Sequence, residues 1–218
     1  TLQVGTGSAK GAADALSFVR SESQRLGLDL ATAADQFGKL TAASKGTALE
    51  GKATRDIFTS VAQAATALGL SAEQTGGSLL AIQQIISKGT VSAEELRGQL
   101  GERLPGAFQI AARAIGVTTQ ELDKLLRTGS VTAEQLLPAL SRELDKTFGS
   151  QSEQAAKGLT AQMNRMNTAI FDLKIAVGES GLINFLSSGI ELATKLANAL
   201  TGVFGGQKLD PIQKQISL

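Results

Sequence analysis

Three short runs constrain this chain more than anything else in it. After Gly89 come Val91, Ser92 and Glu95; after Gly116 come Val117, Thr118 and Glu121; after Gly129 come Val131, Thr132 and Gln135. Each run sets a hydroxyl three residues ahead of a Glu or Gln. The hydroxyl can accept from a free helix amide while the longer side chain reaches back to the amide of the cap residue. The Val before each cap faces a staple partner, Leu96, Leu122 or Leu136. Ser71 with Gln74 repeats the box without an obvious staple. Gly27, Gly69, Gly89, Gly116 and Gly129 each follow a helix-like run, where a left-handed residue lets the last carbonyls find donors. A chain that marks helix stops and starts this closely is expected to be a bundle of short helices joined by tight turns. Gly38, Gly51, Gly98 and Gly106 lie outside that pattern and read as kinks or close-packing points.

Composition agrees with an all-α fold. The 32 Ala and 30 Leu outnumber the 8 Val and 12 Ile about three to one, and no period-two alternation stands out. Ile57, Val61, Ala64 and Leu68 mark one helix face, and Ile82, Ile85 and Ile86 another. Residues 88–100 (KGTVSAEELRGQL) and 128–140 (TGSVTAEQLLPAL) form a weak repeat, matching at Gly, Val, Ala, Glu and two Leu. Two copies are too few for a solenoid, and similar junctions can converge on similar capping chemistry.

The organisation reads as a flexible lead-in over 1–11, a helical domain over 12–148, and a linker or frayed helix start over 149–158. An amphipathic hairpin or coiled-coil segment over 159–204 and a tail over 205–218 complete it. Leu159, Met163, Met166, Ile170, Leu173 and Val177 are spaced four, three, four, three, four, the seam of longer heptad-like helices. The pattern resumes after Gly178–Gly181 with Leu182, Leu186, Gly189, Ala193, Leu196, Leu200 and Val203. Three readings fit: a hairpin folded back on its own bundle, a homo-oligomer seam with a trimer as one state, or a helix lying on a membrane surface. Glu191 and Lys195 at its middle count against a membrane span.

Missing residue types remove chemistry. There is no Cys, His, Trp or Tyr, so thiol nucleophiles, histidine triads, His and Cys metal ligands and most base-stacking platforms are excluded. Interspersed charges with a net of +1 give no basic face for sequence-specific nucleic-acid binding. The eight Phe sit at spacings that suit burial. Glu94, Glu95, Glu102, Glu121, Glu134 and Glu143 fall mostly at helix starts, where negative charge suits the dipole. Glu179-Ser180 resembles the Glu-Ser pair of lytic transglycosylases without their further motifs, and VGTGSAKG matches no phosphate-loop pattern. No catalytic residue, metal or cofactor is expected. No signal-peptide pattern opens the chain, and a start without Met reads as a piece of a longer protein.

Residues 88–116, KGTVSAEELRGQLGERLPGAFQIAARAIG, resemble the N-terminal domain of phage tail tape measure proteins. The likeness is sharpest at Gly89, Glu94, Glu95, Leu96, Gly98, Gln99, Leu100, Leu104, Pro105, Gly106 and Ala107. It extends through 26–47, 67–89 and 117–144. The resemblance implies a structural, non-enzymatic tail protein of a phage or prophage-like particle. Such proteins set tail length during assembly with chaperones, contact tail tube or tail tip proteins, and leave with the DNA at infection. They lie in the tail lumen or tip of the virion after assembly in the host cytoplasm, and some contact the host membrane. One unbroken helix of 218 residues would reach only roughly 330 Å, and the glycine turns shorten this piece further, so it reads as a folded module beside the ruler. Two alternatives stand: a membrane-active helical protein acting on the host envelope, and a peptidoglycan-cleaving module. Arg97, Glu102, Arg103, Leu104 and Pro105 either help form a junction of this module, or Pro105 starts or kinks a helix beside a closely packed Gly106 with the arginines solvated.

Overall fold

The computed structural model describes residues 8–173 together with Glu191 and Thr194. The elements in order are α1 (Ala9–Leu26), α2 (Leu30–Ser44), α3 (Lys52–Ala67) and α4 (Ala72–Lys88). A π-helical segment (Glu94–Leu100) and the one-turn α5 (Gly101–Arg103) follow, then α6 (Ala107–Ala114), α7 (Thr119–Arg127) and α8 (Ala133–Ala155). A further helical stretch covers 159–173. Among the described residues the only sheet-like pairing is one isolated bridge, so the expected all-α class holds.

The punctuation works as its chemistry requires. The five stop glycines all have φ between 65° and 73°. Both reciprocal bonds of the box form at Ser71 and Gln74, at Thr118 and Glu121, and at Thr132 and Gln135. In the second of these, the Thr118 amide and then its hydroxyl hold the Glu121 carboxyl below its ordinary range. Gly51 and Gly106 depart from the kink or close-packing role: both have positive φ, and a Cβ there would meet at most one side-chain atom at 4.0 Å.

The α3–α8 pair forms the centre, with α2 laid on α4, α1 against α2, and α6 against α8. Phe18, Phe37 and Phe58 join α1, α2 and α3, their centroids 5.0, 5.9 and 5.2 Å apart in tilted and edge-on pairs. Ile57, Val61 and Ala64 are buried, as are Ile82, Ile85 and Ile86, whereas Leu68 ends α3 and stays exposed. Phe171 is also exposed, against the expectation for the phenylalanines.

Two boundaries move. The helix α1 starts at Ala9, inside the lead-in 1–11, because Ser8 accepts from the Gly11 amide at 2.9 Å and caps it there. The stretch 149–155, read as linker or helix start, is the end of α8, held by buried Phe148 and Ser152. The chain divides into a unit over Thr1–Thr168 and a second over Ala169–Leu218. Of the second unit, residues 169–173, Glu191 and Thr194 are described, all helical. Val177, Glu179, the resumed pattern residues Leu182, Leu186, Gly189, Ala193, Leu196, Leu200 and Val203, and the tail 205–218 lie outside the described residues, as do residues 1–7. No described helix is long and apolar enough to cross a membrane.

Candidate functional site

The two copies of the sequence repeat meet in space. Thr90 and Thr132 form an antiparallel bridge, with the Val91 amide donating to the Val131 carbonyl and the Ala133 amide to the Gly89 carbonyl, both at 2.9 Å. Val91 and Val131 are equivalent in the repeat, so this antiparallel register sets equivalent residues of the two junctions opposite one another. Their staple residues Val91, Leu96, Val131 and Leu136 are all buried.

The first copy then departs from the second. Its box at Ser92 and Glu95 does not close in the expected way. The Ser92 hydroxyl accepts only a long bond from the Glu95 amide, at 3.4 Å, and the Glu95 carboxylate takes hydrogen bonds from the Ser92 hydroxyl and from Lys88. Glu95 is fully buried, against the capping or solvated role expected of the glutamates. Burial pushes its carboxyl up. The Lys88 hydrogen bond and charge, with the amides of Glu95 and Ser92, outweigh that and leave it below its ordinary 4.5. Lys88 is raised in turn, chiefly by the same hydrogen bond. The backbone from Glu94 winds as a π-helix, with Leu96 and Leu100 facing the core and Glu94 outside.

The signature run ends in a turn. The Ala107 amide donates to the Leu104 carbonyl at 3.0 Å across Pro105 and Gly106, and Gly106 has φ 85° and ψ −2°. That is a type II turn, with Pro at the second position and Gly at the third, where a positive φ is needed. Pro105 therefore neither starts nor kinks a helix, and Gly106 is required by its conformation. Leu104 and Ala107 on either side are fully buried.

The arginines beside this turn are engaged with the fold. Arg97 lies 4.2 Å from the Phe108 ring centroid and pairs with Asp123 at 3.3 Å. Arg103 lies along Gly77, where a Cβ would come within 2.3 Å of its Nε, and its Nη1 donates to the Gln99 carbonyl at 2.8 Å. Gly89 caps α4, while Gly98 sits in the π-segment with no atom within 4 Å of a built Cβ. Thus ten signature residues, Gly89, Glu94, Glu95, Leu96, Gly98, Gln99, Leu100, Leu104, Pro105 and Gly106, occupy one continuous junction.

The other candidate surface is the stretch 159–173. Leu159, Met163, Met166 and Ile170 are exposed, Leu159 at 77%, and Leu173 is half-buried. Over 159–168 the face turned to the bundle is instead Ala161, Asn164 and Arg165. The apolar stripe therefore does not fold back on the bundle there.

A family model described as tape measure protein matches residues 1–179. The chain belongs to the tape measure protein family. It is 32% identical over 183 residues to a probable tape measure protein of Salmonella phage Felix O1 (isolate Felix O1-VT1), covering 84% of this chain. The chain spans 24% of that relative's length. No solved structure matches it. Membership makes this tape measure chain a structural part of a phage tail.

Among the described residues of this tape measure chain, no cluster of three or more acidic side chains is placed to hold a metal. A cleft of about 680 Å³ among the described residues is lined by Phe18, Arg55, Gln63, Pro138 and Arg142 among others, with Asp56 in its lining already paired to Lys52 at 2.5 Å. Sequence reasoning missed Lys88, Gly77, Asn164 and Arg165. For the last two there was no local signal, because their partners lie 137 to 141 residues away.

Proposed function

We propose that this chain is a folded assembly module of a tape measure protein. It acts beside the ruler that sets tail length, and joins copies of itself through the seam at Leu159, Met163, Met166, Ile170, Leu173 and Val177. The observation that carries this reading is the exposure of the first four of these residues beside a bundle whose other large apolar side chains are mostly buried. A stripe at heptad spacing suits another helix of the same pattern. In this reading the module works without catalysis. It is chaperoned in the host cytoplasm, meets tail tube or tail tip proteins in the lumen, and leaves with the DNA.

Electron microscopy of phage carrying Met166→Asp tests it. The expected result is at least tenfold fewer assembled tails, with those that form at normal length. Normal tail yield would overturn the seam, and uniformly shorter tails would overturn the separation of module from ruler.

A further inference from the structure

The last turn of α1 leaves carbonyls at Gln24, Arg25 and Leu26, and that of the capping Gly27, without helical partners. All four are satisfied from elsewhere in the unit that ends at Thr168. The Thr66 hydroxyl donates to Leu26 at 3.3 Å, and the Asn164 amide nitrogen to Gly27 at 2.8 Å. Arg165 supplies the rest: Nε to Gln24 at 2.7 Å and Nη2 to Arg25 at 3.1 Å, while Nη1 reaches Ala156 at 2.8 Å. A guanidinium at a helix C-terminus also meets the negative end of the helix dipole. Ala161 closes the contact from the same helix. A Cβ on Gly27 would lie 2.2 Å from its Cβ and 2.6 Å from its Cα, so the two backbones approach as closely as glycine permits.

The rotation of this helix follows from those contacts. At about 100° per residue, Ala161, Asn164, Arg165 and Thr168 share one face. Leu159, Met163, Met166 and Ile170 fall roughly 180° from it. Docking by the first set and docking by the second exclude one another.

We propose that Arg165, with Asn164 and Ala161, is a joint that fixes the rotation of the helix starting at 159 and keeps the apolar stripe outward for a second copy of the chain. Arg165 and Asn164 are positioning residues: they touch the end of α1, and the stripe meets the partner. The joint rests on the oligomer reading only for what the stripe meets, and its own contacts are testable without it.

Hydrogen exchange on the full chain, diluted until monomeric, reads the joint directly. Arg165→Ala is expected to speed exchange over 159–168 at least tenfold, with α3, α4 and α8 unchanged. Gly27→Ala should do the same. Gly69→Ala should not, because Gly69 has a similar φ of 65° but nothing within 4 Å of a built Cβ. Unchanged exchange in Arg165→Ala, or equal effects of the two glycine changes, would overturn the joint. Sedimentation at high concentration reads its purpose. Arg165→Ala should weaken self-association at least tenfold, whereas unaltered association alongside faster exchange would overturn the presentation of the stripe. If the unaltered chain never associates while Arg165→Ala still speeds exchange, the oligomer reading falls and the joint stands.

Discussion

The junctions at 88–100 and 128–140 begin with nearly the same residues and touch through an antiparallel bridge, yet they are built differently. In the second, Thr132 and Gln135 exchange the two bonds of a capping box, and α8 runs on for 23 residues. In the first, Glu95 replaces Gln135. Its carboxylate accepts from two donors, the Ser92 hydroxyl and Lys88, and lies fully inside, whereas the Glu121 carboxylate, with no such lysine, closes an ordinary box at Thr118. The backbone at the first junction winds as a π-helix, passes through the one-turn α5 and stops at the type II turn of Pro105 and Gly106. Equivalent capping letters therefore specify a helix start in both places, while one carboxylate in place of an amide accompanies a different helix.

The largest effects should show where the copies agree. Leu96 and Leu136 are equivalent staple residues, both with no exposed surface. Leu96→Ala and Leu136→Ala should each cost about 3 kcal/mol by urea unfolding, the usual toll for an emptied leucine site. A first-copy cost below about 1 kcal/mol would break the comparison, showing that the π-segment lets the core collapse around the cavity.

The next effect separates the copies. Glu95→Gln gives the first junction the chemistry of the second. It should cost about 1.5–3 kcal/mol at neutral pH, the range for a hydrogen bond to a charged group. Because the folded carboxyl sits below its ordinary 4.5, its stabilisation is present above that value and lost as pH falls through the lower folded value. The unaltered chain should therefore lose urea resistance more steeply below about pH 4.5 than Glu95→Gln. A double-mutant cycle sharpens the point: coupling between Ser92 and Glu95 should exceed that between Thr132 and Gln135 by about 1 kcal/mol. Equal couplings, or parallel pH curves, would mean that the carboxylate does not distinguish the junctions.

Legibility in the sequence followed range. Capping boxes, stop glycines and staples were readable because each is closed by residues three to five apart. The burial of Glu95 was not, because its partner Lys88 lies on the preceding helix, and in sequence the Ser92-Glu95 spacing is that of an ordinary box. The LPG turn was legible in its residue types but was read as helix chemistry, since Pro serves both at a helix start and in a type II turn. The apolar stripe from Leu159 to Ile170 was visible as spacing. Which side of that helix meets the bundle was not visible, because Arg165 bonds carbonyls about 140 residues away, a pairing that periodicity does not encode.

The smallest expected effect concerns the position where the copies carry the most dissimilar residues, Gly98 against Pro138. Pro138 sits inside α8. Gly98 lies in the π-helix, with neither a positive φ nor any atom within 4 Å of a built Cβ, so nothing among the described residues requires glycine there. Replacing a helical glycine with alanine reduces the backbone entropy lost on folding. Gly98→Ala should therefore stabilise the chain by about 0.5–1 kcal/mol, read as a higher urea midpoint at unchanged slope. A loss of stability would show that the π-segment depends on glycine to wind as it does, and the difference between the junctions would then lie in the backbone at 98 as well as in the carboxylate at 95. If stability rises as expected while tails assemble poorly, the open side of Gly98 is needed by something outside the bundle. Gain with normal assembly would leave Glu95 as the residue on which the comparison turns.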